Sequence, residues 1–126
     1  MGFKLKSKGE LFGYNEELSE FGTPVFEKDL GPNILAEANR DGTIFIDKNI
    51  PENKKQEAID HEKTHKDQMQ QNRLDYTDTT VTWKKDTKSP ARVYIRDKGN
   101  LIAMDGSESG EEGGAFEWEK EAYKKQ

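Results

Sequence analysis

From Asn49-Ile50-Pro51-Glu52 to about Gln71 nothing after the proline breaks a helix, and both histidines of the chain fall in that stretch, at positions 61 and 65. Proline suits the first helical position, where its missing N–H costs nothing, and an acid beside it favours the positive end of the helix dipole. The pattern predicts one helix. Residues four apart on a helix share a face, so both imidazoles point the same way. At about 100° per residue, with His61 at zero, Ala58, Glu62, His65 and Met69 fall within about 100° on one side, the expected inward face. Asp60, Lys63, Thr64 and Asp67 are expected to face outward.

His61-Glu62-Lys63-Thr64-His65 has the form H-E-x-x-H. Two histidines placed at random would be four apart in roughly 1.5% of chains of this length, and a following Glu reduces that to about two in a thousand. The pattern therefore counts as a motif. Two imidazoles one turn apart can hold a divalent metal, expected to be Zn²⁺, and Glu62 can deprotonate a water at that metal. The chain has no cysteine and no third histidine, so a third protein ligand must be a carboxylate.

A short helix predicted over residues 115–124 offers that carboxylate. With Glu119 at zero, Ala115, Phe116, Ala122 and Tyr123 lie within about 60° and Trp118 at about −100°. Glu119 thus falls in the middle of an apolar stripe, where a charge is costly unless paired or bound to metal. Glu121 falls toward solvent and is the main competitor.

Elsewhere, Ile34–Ala38, the turn Asn39-Arg40-Asp41-Gly42 and Thr43–Asp47 read as a β-hairpin, because Asp-Gly supplies the positive φ of a tight turn. Thr79–Lys84 and Arg92–Arg96 read as a second hairpin, with a short strand at Asn100–Met104. Residues 105–114 read as a flexible connector. Residues 1–32, with Phe3, Phe12, Tyr14, Phe21 and Phe26 at no steady period, read as an extended N-terminal arm with short ordered pieces, followed by a domain over 33–126. Such an arm cannot bury its aromatics alone; it wraps the domain, covers a cleft or docks on a partner.

Leu, Ile, Val and Phe number 23 of 126 residues, below the share usual for a self-sufficient core, which points to a supplement such as a metal. The net charge of −5, with both signs interspersed, argues against nucleic-acid partners. No apolar run is long enough for a membrane span, and the basic start is followed by charged and glycine-containing sequence, so neither membrane insertion nor a secretory signal is expected. The lack of cysteine excludes disulfides and thiolate chemistry.

The motif His61-Glu62-Lys63-Thr64-His65, with Trp118-Glu119-Lys120-Glu121-Ala122-Tyr123 downstream, resembles the gluzincins, zinc metallopeptidases of the HExxH class. The resemblance covers about residues 33–73 and 115–124. It implies a small zincin-like α+β domain: a β-hairpin, the HExxH active-site helix, a second hairpin and a short C-terminal helix. In that class the third ligand is a Glu on a downstream helix, often within E-x-x-A-D, and Glu119 with Ala122 matches that setting. Tyr123 stands where the family often has Asp, so the acid that orients a histidine ligand there is absent. The stretch His65–Gln70 also resembles small HExxH domains of bacterial toxins and phage genomes.

The activity implied is zinc-dependent hydrolysis of a peptide or protein substrate. His61, His65 and Glu119 would be the metal ligands, Glu62 the general base, and Tyr76 or Tyr123 the oxyanion donor. Tyr94, inside an expected strand, suits that role less. Substrate would add to an edge strand of the 34–47 hairpin. The alternative is a structural or assembly component, for example of a phage particle, on the same fold with residues 1–32 docking on neighbours. The expected location is the cytoplasm or, on the alternative, the virion.

Overall fold

A computed structural model describes residues 13–126 of the chain, and the first twelve residues of the expected arm lie outside the described residues. The described chain is α+β, with two α-helices and two β-sheets. It divides into two compact units, one up to Lys63 and one from Thr64.

The first unit is built on strands β1 (Val25–Lys28), β2 (Ala36–Ala38) and β3 (Ile44–Asp47), in the order β1-β3-β2. The expected hairpin forms: Ala36 pairs with Ile46 and Ala38 with Ile44, antiparallel, across a turn that places Gly42 at φ 93°. Alternation in Ile44-Phe45-Ile46-Asp47 buries both isoleucines, and Val25, Ile44, Ile46, Ile50 and Ile59 form one core cluster. Strand β1 comes from the stretch read as an arm and runs parallel to β3, Val25 opposite Ile44. Leu18 packs against the same cluster, and the Tyr14, Phe26 and Phe45 rings meet edge to face. Short polar ties fix the segment, including Asn15 to Glu27 at 2.8 Å.

A 3₁₀ turn at Glu52–Lys54 leads into helix α1 (Lys55–Gln70), as the Pro51-Glu52 start implies. The helix stops where Asn72 takes φ 61°. The Arg73 N–H then reaches back to the Gln68 carbonyl at 2.9 Å and the Asn72 N–H to Met69 at 3.0 Å, a left-handed cap that satisfies the last carbonyls. Early in the helix Ile59 joins the first unit's core, whereas later Thr64, His65, Gln68 and Met69 are buried. Thr64 was expected to face outward. It lies only about 40° from buried Gln68 on the helix and shares that face.

The second unit is a five-stranded antiparallel meander of β4 (Leu74–Tyr76), β5 (Thr80–Trp83), β6 (Arg92–Asp97), β7 (Asn100–Ala103) and β8 (Ser109–Glu111), adjacent in sequence order. Lys98 and Gly99, at φ 52° and 85°, make the two-residue turn between β6 and β7. Two strands depart from the sequence reading. Leu-Asp-Tyr at β4 is too short to show alternation, and Ser-Gly-Glu at β8, inside the expected connector, is ordered by pairing with β7 rather than by propensity.

One face of this sheet buries Leu74, Val81, Trp83, Tyr94, Leu101 and Ala103. Helix α2 (Glu117–Lys125) packs through Phe116, Trp118 and Ala122, all buried. Phe116 stacks on Trp118 at 4.8 Å, and Tyr94 meets Trp118 edge-on at 5.0 Å. No helix among the described residues is long and apolar enough to cross a membrane.

Truncating Leu101, buried in this sheet face, should remove both transfer energy and close packing. Leu101→Ala is expected to destabilise the chain by about 2–5 kcal/mol in urea denaturation. A loss under about 1 kcal/mol would contradict the packing described.

Candidate metal centre

The aromatic cluster sets the position of the C-terminal glutamates. The Phe116 and Trp118 rings carry most of the apolar area of α2, so the helix turns until both are buried. This differs from the expected stripe: Ala115 is exposed and Tyr123 is 54% exposed, and Glu119 lies at the border of the buried face rather than in its middle. The Glu119 side chain nevertheless keeps only 13% of its surface exposed.

There it meets α1. His65 Nε2 lies 2.9 Å from Glu119 Oε1. His61 precedes His65 by one turn of the same helix, and one ligand atom from each of His61, His65 and Glu119 lies within 4.8 Å of the others. Adjacent ligands of a tetrahedral zinc ion, at about 2.0–2.1 Å from the metal, stand roughly 3.3 Å apart. Two imidazoles and a carboxylate at this spacing fit such an ion after small rotamer changes. Glu62, half-buried, follows His61 directly on the helix.

Glu121 has a different task. Arg73 grips it with two bonds of 2.9 Å, and Gln68 Nε2 donates to its Oε1 at 3.1 Å. The Arg73 guanidinium also donates to the Lys85 carbonyl at 2.8 Å and lies 4.8 Å from the centre of the Trp83 ring. This bonding, with Arg73 first, holds the Glu121 carboxyl below the usual carboxylate range, and the same pairing raises the Arg73 pKa.

The tyrosines lie in separate surroundings. Tyr123 points its hydroxyl at the Gly113 carbonyl, 3.4 Å away, and the Tyr76 ring lies 5.6 Å from the Arg96 guanidinium. Tyr94 is buried and donates to Glu108 at 2.6 Å; burial first, then that bond, pushes its pKa up to about 12.

Gln68 is the residue the sequence reading missed. It is 1% exposed; its Oε1 lies 2.8 Å from His65 Nδ1, and its Nε2 donates to the Trp118 carbonyl at 3.1 Å. Its position three residues after His65 is the only signal in the sequence, and neighbouring glutamines at 70 and 71 mask it.

Comparison with protein-family models, with curated proteins and with solved structures finds no match to this chain.

The geometry separates the two carboxylates by role. Glu119→Gln should weaken zinc binding by at least about tenfold in a chelator competition assay, and Glu121→Gln, which touches the site only through Gln68, should weaken it less. Glu121→Gln should also cost about 1 kcal/mol of stability at neutral pH. Because folding lowers the Glu121 pKa, that contribution is complete above the usual carboxylate range and is lost as pH falls through the folded-state pKa. The stability gap between wild type and variant should therefore close in acid denaturation series. A zinc defect larger in Glu121→Gln than in Glu119→Gln, or a gap that widens in acid, would reverse the assignment.

Proposed function

We propose that the chain is a zinc-dependent peptidase of the gluzincin kind, with a zincin-like domain, His61, His65 and Glu119 as ligands and Glu62 as general base. The observation that carries this reading is the approach of the three ligand atoms to within 4.8 Å of one another, with both histidines on the helix that places Glu62 beside the first of them. A zinc ion held there supplies a Lewis acid that polarises the scissile carbonyl and acidifies water. Glu62, about 100° round the helix from His61, stands beside the ligand set rather than inside it. Its carboxylate takes a proton from the attacking water and returns it to the leaving amine. Tyr123 lies one turn beyond Glu119 on α2. Its place on the same helix as Glu119 makes it a better candidate for the oxyanion donor than Tyr76, which lies on β4. Strand β2 (Ala36–Ala38) is an edge of its sheet and suits backbone pairing with an extended substrate.

Zinc-loaded wild type should carry one zinc per chain by elemental analysis and cleave members of a mixed peptide library, read by mass spectrometry. Glu62→Gln should retain the metal and lose cleavage by about 10²–10⁴-fold. His65→Ala should lose both. Cleavage that survives Glu62→Gln, or wild type without stoichiometric zinc, would overturn the reading.

An assembly role remains the alternative, favoured by the full exposure of the Phe21 ring. It requires that Phe21→Asp lower the sedimentation coefficient of the full chain; an unchanged value would remove it.

A further inference from the structure

The atoms around Gln68 decide which nitrogen of His65 is available as a ligand. Its amide faces three groups in the second unit: His65 Nδ1 at 2.8 Å on one side, and the Trp118 carbonyl and Glu121 Oε1, each at 3.1 Å, on the other. A backbone carbonyl and a carboxylate paired with arginine can only accept hydrogen bonds. The NH₂ end of Gln68 must therefore face them, which leaves its oxygen facing His65. An amide oxygen only accepts, so Nδ1 of His65 must carry the hydrogen. The other ring nitrogen, Nε2, lies 2.9 Å from the Glu119 carboxylate, which also only accepts, so it is the nitrogen whose hydrogen a metal ion would replace while Nδ1 keeps its own.

Nothing in this relay is free to flip. Gln68 is 1% exposed, the Trp118 carbonyl belongs to a residue locked among Phe116 and Tyr94, and Arg73 clamps Glu121 with two bonds. Turning the Gln68 amide over would set its oxygen against two acceptors in a buried site, each mismatch costing about 1–3 kcal/mol.

We propose that Gln68 is a positioning residue that fixes the Nδ1–H tautomer and ring orientation of His65, so that Nε2 is preset as the metal ligand. This rests on the reading of His65 as a ligand. It supplies from within α1 the orienting partner that Tyr123, in place of an acid, does not provide. The route Arg73 to Glu121 to Gln68 to His65 ties the preset to the packing of α2.

Two substitutions separate positioning from mere packing. Gln68→Met keeps the volume and removes the acceptor. Gln68→Glu keeps an acceptor on Nδ1 but opposes the Trp118 carbonyl and Glu121, so it too should destabilise the fold in urea denaturation. In protein equilibrated with zinc, long-range ¹H–¹⁵N correlation spectra should show His65 with its hydrogen on Nδ1 in wild type and in Gln68→Glu. Gln68→Met should show a mixture of tautomers. Zinc affinity by chelator competition should fall about 10–100-fold in Gln68→Met and stay within a few-fold of wild type, or rise, in Gln68→Glu. An Nε2–H ring in wild type, or affinities that follow stability rather than the acceptor, would overturn the proposal. A wild-type chain with Nδ1–H that takes up no zinc would support the positioning and overturn the metal reading itself.

Discussion

The burial of Trp118 organises the second unit. Its ring stacks on Phe116, meets Tyr94 edge-on and lies 5.8 Å from Trp83, so one side chain joins α2 to strands β5 and β6. Aromatic contacts of this kind add to the transfer energy of a large apolar surface. Because the ring is fixed, its backbone carbonyl is fixed and the next residue, Glu119, is presented at the edge of the buried face. Both consequences reach His65, one through Gln68 and the other through the carboxylate itself.

Polar groups in such a place need hydrogen-bond partners. His65, Gln68, Glu119, Glu121 and Arg73 form a series in which each member has a partner of the opposite hydrogen-bonding kind. Low dielectric strengthens those bonds and makes a missing one expensive. The same condition suits a metal ligand, which must be held in one orientation at low reorganisation cost. It also bears on the scarcity of large apolar residues, 23 in 126: the second unit combines a small aromatic core with a hydrogen-bonded polar network beside it.

What could be read in the sequence followed local rules. The hairpin at β2 and β3 came from alternation and an Asp-Gly turn. The helix came from its proline start and absence of breakers, and the H-E-x-x-H pairing from the four-residue repeat. Glu119 was selected by the phase of α2, although the phase was referred to the wrong centre because every apolar residue was weighted alike. Trp118 and Phe116 outweigh Ala115 and Tyr123 in area, and the helix settles accordingly. Strands β1, β4 and β8 are short and gain order from partners distant in sequence or of low intrinsic preference, so no window of sequence reveals them.

The sequence by itself determined that two imidazoles share one face of one helix with a glutamate between them, because 3.6 residues per turn leaves no other arrangement. For a metal at those imidazoles it narrowed the third ligand to a carboxylate, the common zinc donor left in a chain with no cysteine and no third histidine. Only the tertiary structure decided that Glu119 meets His65 while Glu121 goes to Arg73, and that Gln68 dictates the tautomer of His65. Those choices depend on hydrogen-bond partners about fifty residues away along the chain, and a hydrogen bond acts only at contact distance, which local sequence does not encode.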